Sequence, residues 1–372
     1  MRPPLSLSLC SWTARLLVIA LLAVGPAQRA TAQNMATVDS LARTFKTNTK
    51  TPGLVVGAIE GSTSQLFQYG VATLADSTAL RADTRFEIGS VTKVFTTLLL
   101  AEMAHEGDVS LRDPIGKYLP DSVDTPGTEG EPIELRHLAT HTSGLPRLPT
   151  NLTPVNRSDP YAAYTAKKLH AFLETATLSA PPGSTYTYSN VGMGLLGHLL
   201  ARHADTTYAA ALRARVLAPL RLHDTGVPLP SDTTGPRLAR GYTPLSSTPY
   251  WFWDVLAGAG ALRSTPPDML HFLRANLDPE QSPLSSAIKQ THRLRHRKSK
   301  ELALALGWHV SKGPDGSRIY WQNGGTGGFR SFVGVHRDDH TALLLLTNQA
   351  LSPRRLNEFA FQLMRILLQS EE

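Results

Sequence analysis

Ser90 and Lys93 lie three residues apart in Phe86-Glu87-Ile88-Gly89-Ser90-Val91-Thr92-Lys93, just ahead of an apolar run from Val94 to Met103. On a helix, that spacing puts a hydroxyl and an amine on one face, about a turn apart. A helix start also offers free backbone N–H groups and a positive dipole end, which suit an oxyanion forming beside an acylated serine. Taken alone, the tetrad reads equally well as an ordinary helix start. A second group is Tyr186-Thr187-Tyr188-Ser189-Asn190, after the turn-forming Pro181-Pro182-Gly183. Extended spacing points Tyr188 and Asn190 the same way; a phenol can shuttle protons and an amide can grip a carbonyl. Asn190 also reads as the N-cap of the helix that follows. The third group is Trp321-Gln322-Asn323-Gly324-Gly325-Thr326-Gly327-Gly328-Phe329. So many glycines between apolar strands are costly unless backbone must approach something closely. A strand edge here could supply an oxyanion N–H and pair with an extended substrate, or the run is a wide hairpin turn.

Elements must bring these three groups together. Strands are expected at Leu54–Ile59 and Leu66–Val71 around Gly61-Ser62, followed by the Ser90 helix. A short helix spans Leu135–His141, and 147–160 reads as a long surface loop of the kind that often carries function. Helices are expected at Ala162–Thr175, Val191–His203, Tyr208–Leu217 and Pro267–Leu277. Strands follow at Leu302–Val310, Arg318–Gln322, Phe329–His336 and Thr341–Thr347, and an amphipathic helix, Arg354–Leu368, closes the chain. Strands at both ends with helices between them predict an α+β fold. Its antiparallel sheet is built from both chain ends and flanked by helices, with a mainly helical subdomain inserted. The sheet part is expected at about 37–90 and 300–372, and the helical part at about 91–299, within one catalytic domain over 33–372.

The whole chain narrows the setting. Its 372 residues are 41% hydrophobic and 18% charged, a globular composition. Arg2 and Arg15 precede the apolar run Leu16–Val24, broken by Gly25-Pro26 and followed by the small residues Ala30-Thr31-Ala32. This is the pattern of a secretory signal peptide over 1–32, with the apolar run too short to span a bilayer; an organelle transit peptide is the other reading. Cleavage after Ala32 removes three arginines and no acid, taking the net charge from +7 to +4. It also removes Cys10, the single cysteine, so no disulfide is expected in an exported protein. Neither nucleic acid nor a stable membrane span is expected. The basic cluster Lys289, His292, Arg293, Arg295, His296, Arg297, Lys298 and Lys300 reads as a solvated helix or loop, or as an attraction to an anionic cell envelope.

In this order, the three groups resemble the penicillin-recognising serine hydrolases: class C β-lactamases, low-molecular-weight penicillin-binding proteins (D-Ala-D-Ala peptidases) and related esterases. Phe86–Lys93, Gly107–Pro120, Leu138–Pro146, Tyr188–Gly197, Ala257–Met269 and Gly324–Phe329 carry the resemblance. It implies a β-lactamase/transpeptidase-like fold with Ser90 as nucleophile and Lys93 assisting its deprotonation. Tyr188 would pass a proton to the leaving group, and Asn190 would hold the acyl-side amide. Gln322, Asn323, Gly324 and Gly325 would line the substrate, with the N–H groups of Ser90 and Gly325 as oxyanion hole. The substrate implied is a small-molecule or peptidoglycan-like acyl compound.

Two positions depart from the family pattern. Gln322-Asn323-Gly324 stands where Lys-Thr-Gly or His-x-Gly is usual, and Thr92 stands where class C enzymes tend to have Ser or Ala. Gln lacks the charge that favours a tyrosinate and attracts a carboxylate. Both departures argue against an efficient class C β-lactamase, and the missing charge at 322 shifts base catalysis toward Lys93. Restoring Lys or His at 322 is expected to favour carboxylate-bearing substrates.

Other chemistries fit less well. There is no Gly-x-Ser-x-Gly elbow, and the scattered histidines form no H-E-x-x-H, so neither a metal nor a cofactor is expected. His141 and His198 read as structural. The function expected is an exported serine acyl hydrolase acting on β-lactam or peptide amides. The alternatives are a small-ester hydrolase of the same fold and a non-catalytic binding or sensor protein. Tyr250-Trp251-Phe252-Trp253 reads either as a groove wall or as packing.

Overall fold

In the computed structural model, residues 26–369 are described, except Glu129 and Asp315. The apolar stretch of the expected leader lies outside them. Helix α1, Pro26–Thr49, runs through the expected cleavage position, where the sequence pattern predicts no helix. It forms because Met35, Val38 and Ala42 recur at helical spacing and are buried against the sheet. Thr31 and Asn34 of this helix also hydrogen-bond Glu60.

The sheet is built from both chain ends. Gly53–Glu60 (β1) and Thr63–Gly70 (β2) form the first hairpin. Phe86–Glu87 (β3) pairs with Arg263–Ser264 (β4) at one side of the site. His296–Arg297 (β5), Leu302–Leu304 (β6), His309–Lys312 (β7), Arg318–Gly325 (β8), Arg330–His336 (β9) and Thr341–Thr347 (β10) complete the main sheet. Its order is β2-β1-β10-β9-β8-β7-β6-β5, and the recorded pairings are antiparallel. Two-residue alternation divides its buried side chains between two cores. Leu54, Val56, Ala58, Leu343 and Leu345 face α1 and the C-terminal helix α9, Pro353–Leu367. Val55, Ile59, Leu344 and Leu346 face the larger core of the helical insertion.

That insertion holds α2 (Thr92–His105), α3 (Leu135–Ala139), α4 (Ala166–Thr175), α5 (Asn190–His203), α6 (Tyr208–Leu212), α7 (Pro266–Leu277) and α8 (Ser285–Thr291). Residues 147–160 form a loop without helix or strand, as expected. The strand expected over Leu302–Val310 is in fact two, β6 and β7. They are separated by a turn in which Gly307 takes φ +74°, and a Cβ there would collide with Thr97 of α2. Among the described residues, no helix is long and apolar enough to cross a membrane.

Candidate active site

Ser90 sits in a single 3₁₀ turn, Gly89–Val91, that feeds directly into α2. Gly89 takes φ +50°, a conformation costly for any side chain, and a Cβ there would lie 2.6 Å from the Gly325 nitrogen. Gly324 packs just as closely, because a Cβ on it would lie 3.0 Å from Ser90 N and overlap Ile88 O and Ser331 Oγ. These two glycines therefore let the β8 backbone rest on the nucleophile turn. Ser331 Oγ donates to Ile88 O and ties β9 to the same turn (2.7 Å).

The register shows which way the Gly325 amide points. Strand β7 pairs with β8 only from Arg318 to Trp321, so 322–325 present an edge with no strand beside it among the described residues. The Asn323 N–H points out of this edge, where it donates to Gln322 Oε1 at 3.0 Å. By the two-residue period of a strand, the Gly325 N–H points the same way, toward the Ser90 turn.

Lys93 Nζ lies 2.9 Å from Ser90 Oγ and donates to Ala259 O at 2.6 Å. The whole side chain is buried, and this burial, reinforced by the Arg147 charge, pushes the amine well below the usual lysine range. Thr92 accepts the Leu262 N–H (3.1 Å), and Thr96 donates to Gly258 O (2.8 Å). Both threonines hold the 258–262 segment, with its Ala259 carbonyl, against α2. Thr92 thus faces structure rather than the cleft.

Tyr188 shares a side-chain hydrogen bond with Ser90, and Lys93 Nζ lies 5.0 Å from its ring centroid. The ring is boxed in by His141 (centroids 4.4 Å) and His309 (6.4 Å, nearly parallel). Burial pushes the phenol well above its usual range, against the opposing pulls of the Ser90 hydrogen bond and Arg147. Burial also drives His141 well below the usual histidine range and His309 down to about 4, so both rings are neutral at pH 7. His141 Nδ1 accepts the Ser189 N–H (3.2 Å), which assigns its proton to Nε2, a buried atom with no partner among the described residues. His141, read from sequence as structural, therefore also walls Tyr188. His198 lies instead between α4 and α5 against His170.

Asn190 is not the N-cap. Ser189 caps α5, accepting the Gly192 N–H (2.8 Å) and donating to Pro146 O (2.7 Å). Asn190 is left beside Tyr161, to which it hydrogen-bonds, and its Oδ1 is buried without a partner among the described residues. An orphaned acceptor of this kind is costly in an empty site and useful when a ligand N–H arrives.

Two of the expected substrate contacts are corrected. Asn323 points to the other face of the sheet, where its Nδ2 donates to Asn357 of α9 at 2.9 Å. Gln322 faces the site but is fully buried with both amide ends engaged; Nε2 donates to Gly307 O (3.1 Å) and Oε1 receives the Asn323 N–H. It closes the gap left where β7 turns away from β8 and shows no exposed surface to a substrate. Its neighbour His309 accepts or donates a hydrogen bond with Tyr186 (3.0 Å).

An aromatic wall completes the cleft on the α5 side. Tyr161 stacks on Trp253 (3.8 Å) and meets Trp251 edge-on (5.4 Å). A Cβ on Gly260, next to Ala259, would touch the Trp253 ring, and one on Gly327 would lie 3.0 Å from Trp251 Nε1. Trp251 and Trp253 thus bridge the lysine-anchoring segment and the glycine run, whereas Tyr250 packs inward and donates to Ala239 O. Glu87 of β3 locks this frame, accepting from Thr326 Oγ1 (2.6 Å) and Trp251 N (2.8 Å) beside the Arg263 guanidinium (3.6 Å). Burial outweighs these favourable contacts and raises its carboxyl to about 7. Sequence reasoning missed Glu87, His309, Arg147 and Ala259, because only long-range packing brings them here.

Comparison with known proteins agrees with this geometry. The Beta-lactamase family model matches residues 38–363. D-alanyl-D-alanine-carboxypeptidase/endopeptidase AmpH of Escherichia coli (strain K12) is 29% identical over 299 residues, covering 76% of each chain. A Beta-lactamase of Pseudomonas fluorescens is 30% identical over 261 residues, 68% of each chain. A solved class C beta-lactamase superposes with a TM-score of 0.80 at 21% identity, over 92% of this chain and 98% of its own, a likeness of fold. With a buried lysine amine set against a serine hydroxyl inside that fold, and a family match that spans both halves of the sheet, the chain belongs to the Beta-lactamase family and is a serine hydrolase.

Proposed function

We propose that the protein is an exported acyl hydrolase that works through an acyl-enzyme on Ser90, cleaving the amide of a β-lactam or a D-Ala-D-Ala-type peptide. The observation that carries this reading is the Ser90–Lys93 pair, with the amine buried, held by Ala259 O and depressed in basicity. A neutral Lys93 accepts the Ser90 proton as Oγ bonds to the substrate carbonyl carbon. The N–H groups of Ser90 and Gly325 stabilise the oxyanion. As the carbon–nitrogen bond breaks, the Tyr188 phenol, protonated at pH 7, gives its proton to the leaving amine and is resupplied from Lys93. Water then adds to the ester by the reverse proton path and frees Ser90. Asn190 Oδ1 accepts the acyl-side amide N–H. Export rests on the Leu16–Val24 run and the small residues after it.

Ester hydrolysis is the second reading, favoured by one observation: position 322 carries no charge and no exposed surface for a substrate carboxylate. Intact mass after mixing with benzylpenicillin, beside Ser90→Ala, separates the cases. A lasting adduct on the wild type alone marks a peptidase, and a fleeting one with hydrolysed drug marks a β-lactamase. No adduct, with turnover of simple esters, selects the second reading. Adducts of equal yield on Ser90→Ala overturn both.

A further inference from the structure

His170 of α4 and His198 of α5 stand 28 residues apart in the chain, yet the fold sets their Nε2 atoms 3.4 Å from each other. We propose that these two nitrogens form a zinc site that links α4 to α5, away from the catalytic cleft.

The distance favours a shared ion over a plain hydrogen bond. Nitrogen donors ordinarily sit about 2.7–3.2 Å from their acceptors, so a hydrogen bond at 3.4 Å is weak. Two nitrogens that each lie about 2.0–2.1 Å from a tetrahedral ion are about 3.3–3.4 Å apart. A square-planar ion such as Cu²⁺ would draw neighbouring ligands in to about 2.8 Å. The pair therefore already has the spacing of Zn²⁺ ligands. Its ring planes are tilted by 52° with centroids 5.5 Å apart, so the rings meet by their edges and do not stack. Both rings start from fixed positions, because Leu169 and Phe172 beside His170, and Leu199 beside His198, are buried in the large core. The imidazoles themselves are half-buried and within reach of an ion from solvent. An ordinary imidazole is mostly neutral above pH 7, which is the form that binds a metal.

Two charges act on the pair. Glu174, one turn on from His170, acts on that ring, and Arg202, one turn on from His198, acts on both. Their formal charges cancel, and Arg202 Nε donates to Tyr118 O at 3.1 Å. The nitrogens, not a net field, must hold the ion. Among the described residues no group of three His, Cys, Asp or Glu is placed to hold a metal, which leaves the other two positions of the ion to water. A site with two protein ligands exchanges its ion with the medium, so zinc here would adjust the stability of the helical insertion. By the rise of a helix, His198 lies about 12 Å along α5 from Asn190, so the ion stands off the proton path.

The test titrates Zn²⁺ into full-length, metal-stripped protein by calorimetry at pH 7.5. One ion should bind with a Kd at or below about 200 µM, as half the ligands of a structural zinc site predict. His170→Gln and His198→Gln should each weaken binding at least about tenfold, and the rise in melting temperature caused by Zn²⁺ should vanish with it. Co²⁺ in place of Zn²⁺ should give the strong visible bands of a tetrahedral ion, lost in both variants. Circular dichroism checks that each variant folds, and His170→Gln decides alone if His198→Gln does not. No saturable binding below about 1 mM, an affinity unmoved in the variants, or the pale spectrum of an octahedral Co²⁺ overturns the site.

Discussion

Gly324→Ala is the sharpest test of how β8 and the nucleophile turn are fitted together. The added methyl carbon would overlap Ile88 O and Ser331 Oγ and sit 3.0 Å from Ser90 N. Two of these three atoms belong to backbone, so no side-chain rotation relieves the clash. Restoring ordinary contact requires β8 to move off the turn by roughly 1 Å, and a misplacement of that size costs about 10²-fold in rate. The moved segment carries the Gly325 N–H, and loss of one oxyanion donor alone costs about 10²–10³-fold, or about 3–4 kcal/mol. Acylation of Ser90 should therefore fall at least about 100-fold, read as the labelling rate with a fluorophosphonate probe by intact mass. Gly325→Ala is the control one residue away. Its Cβ would meet Arg330 Nη1 at 2.8 Å, the end of a long side chain, and the N–H is retained. That variant should stay within about tenfold of wild type, because what must yield is a side chain, Arg330 with its bonds to Thr326 O and Phe329 O, and not the backbone of the nucleophile turn. Wild-type labelling by Gly324→Ala, or equal losses in the two variants, would refute the argument that the β8–turn contact positions the oxyanion donor.

Two further outcomes follow from buried groups. The Glu87 carboxyl titrates at about 7 in the fold against an ordinary value of 4.5, so the unfolded chain ionises first as pH rises. Its contribution is fully present below pH 4.5 and is lost by pH 7 and above, worth about 3 kcal/mol. Urea unfolding from pH 4 to 8 should show wild type losing that much more than Glu87→Gln, and parallel profiles would remove Glu87 as the cause. Gln322→Lys strands the Asn323 N–H, which loses its acceptor, and buries an ammonium, so it should destabilise by about 2–4 kcal/mol without increasing preference for esters that bear a carboxylate. Unchanged urea stability with a raised preference would show instead that position 322 is open to substrate.

Much of this molecule is determined locally and is therefore legible in its sequence. Ser90 and Lys93 meet because three residues of helix span one turn, and they do so in the fold at 2.9 Å. The continuous apolar runs Leu54–Ile59 and Leu343–Leu346 already suit a sheet covered on both faces, and Arg354–Leu368 already reads as an amphipathic helix. Other features depend on which distant segment arrives beside a residue. Ser189 and Asn190 are both good caps, and the extended backbone of Ser189 (φ −125°, ψ 115°), docked on Pro146 O, decides between them. Gln322 and Asn323 look equally available along the chain. The pleat sends one toward Gly307 and the other toward α9, and neither partner is near in sequence. Lys93 becomes a weakly basic amine only when Ala259, 166 residues away, closes over it. Sequence alone determined which groups could react, since residue type and short spacing are local properties. Burial, charge balance and the direction a side chain faces were decided only by tertiary structure, because each depends on desolvation by parts of the chain that local rules do not bring together.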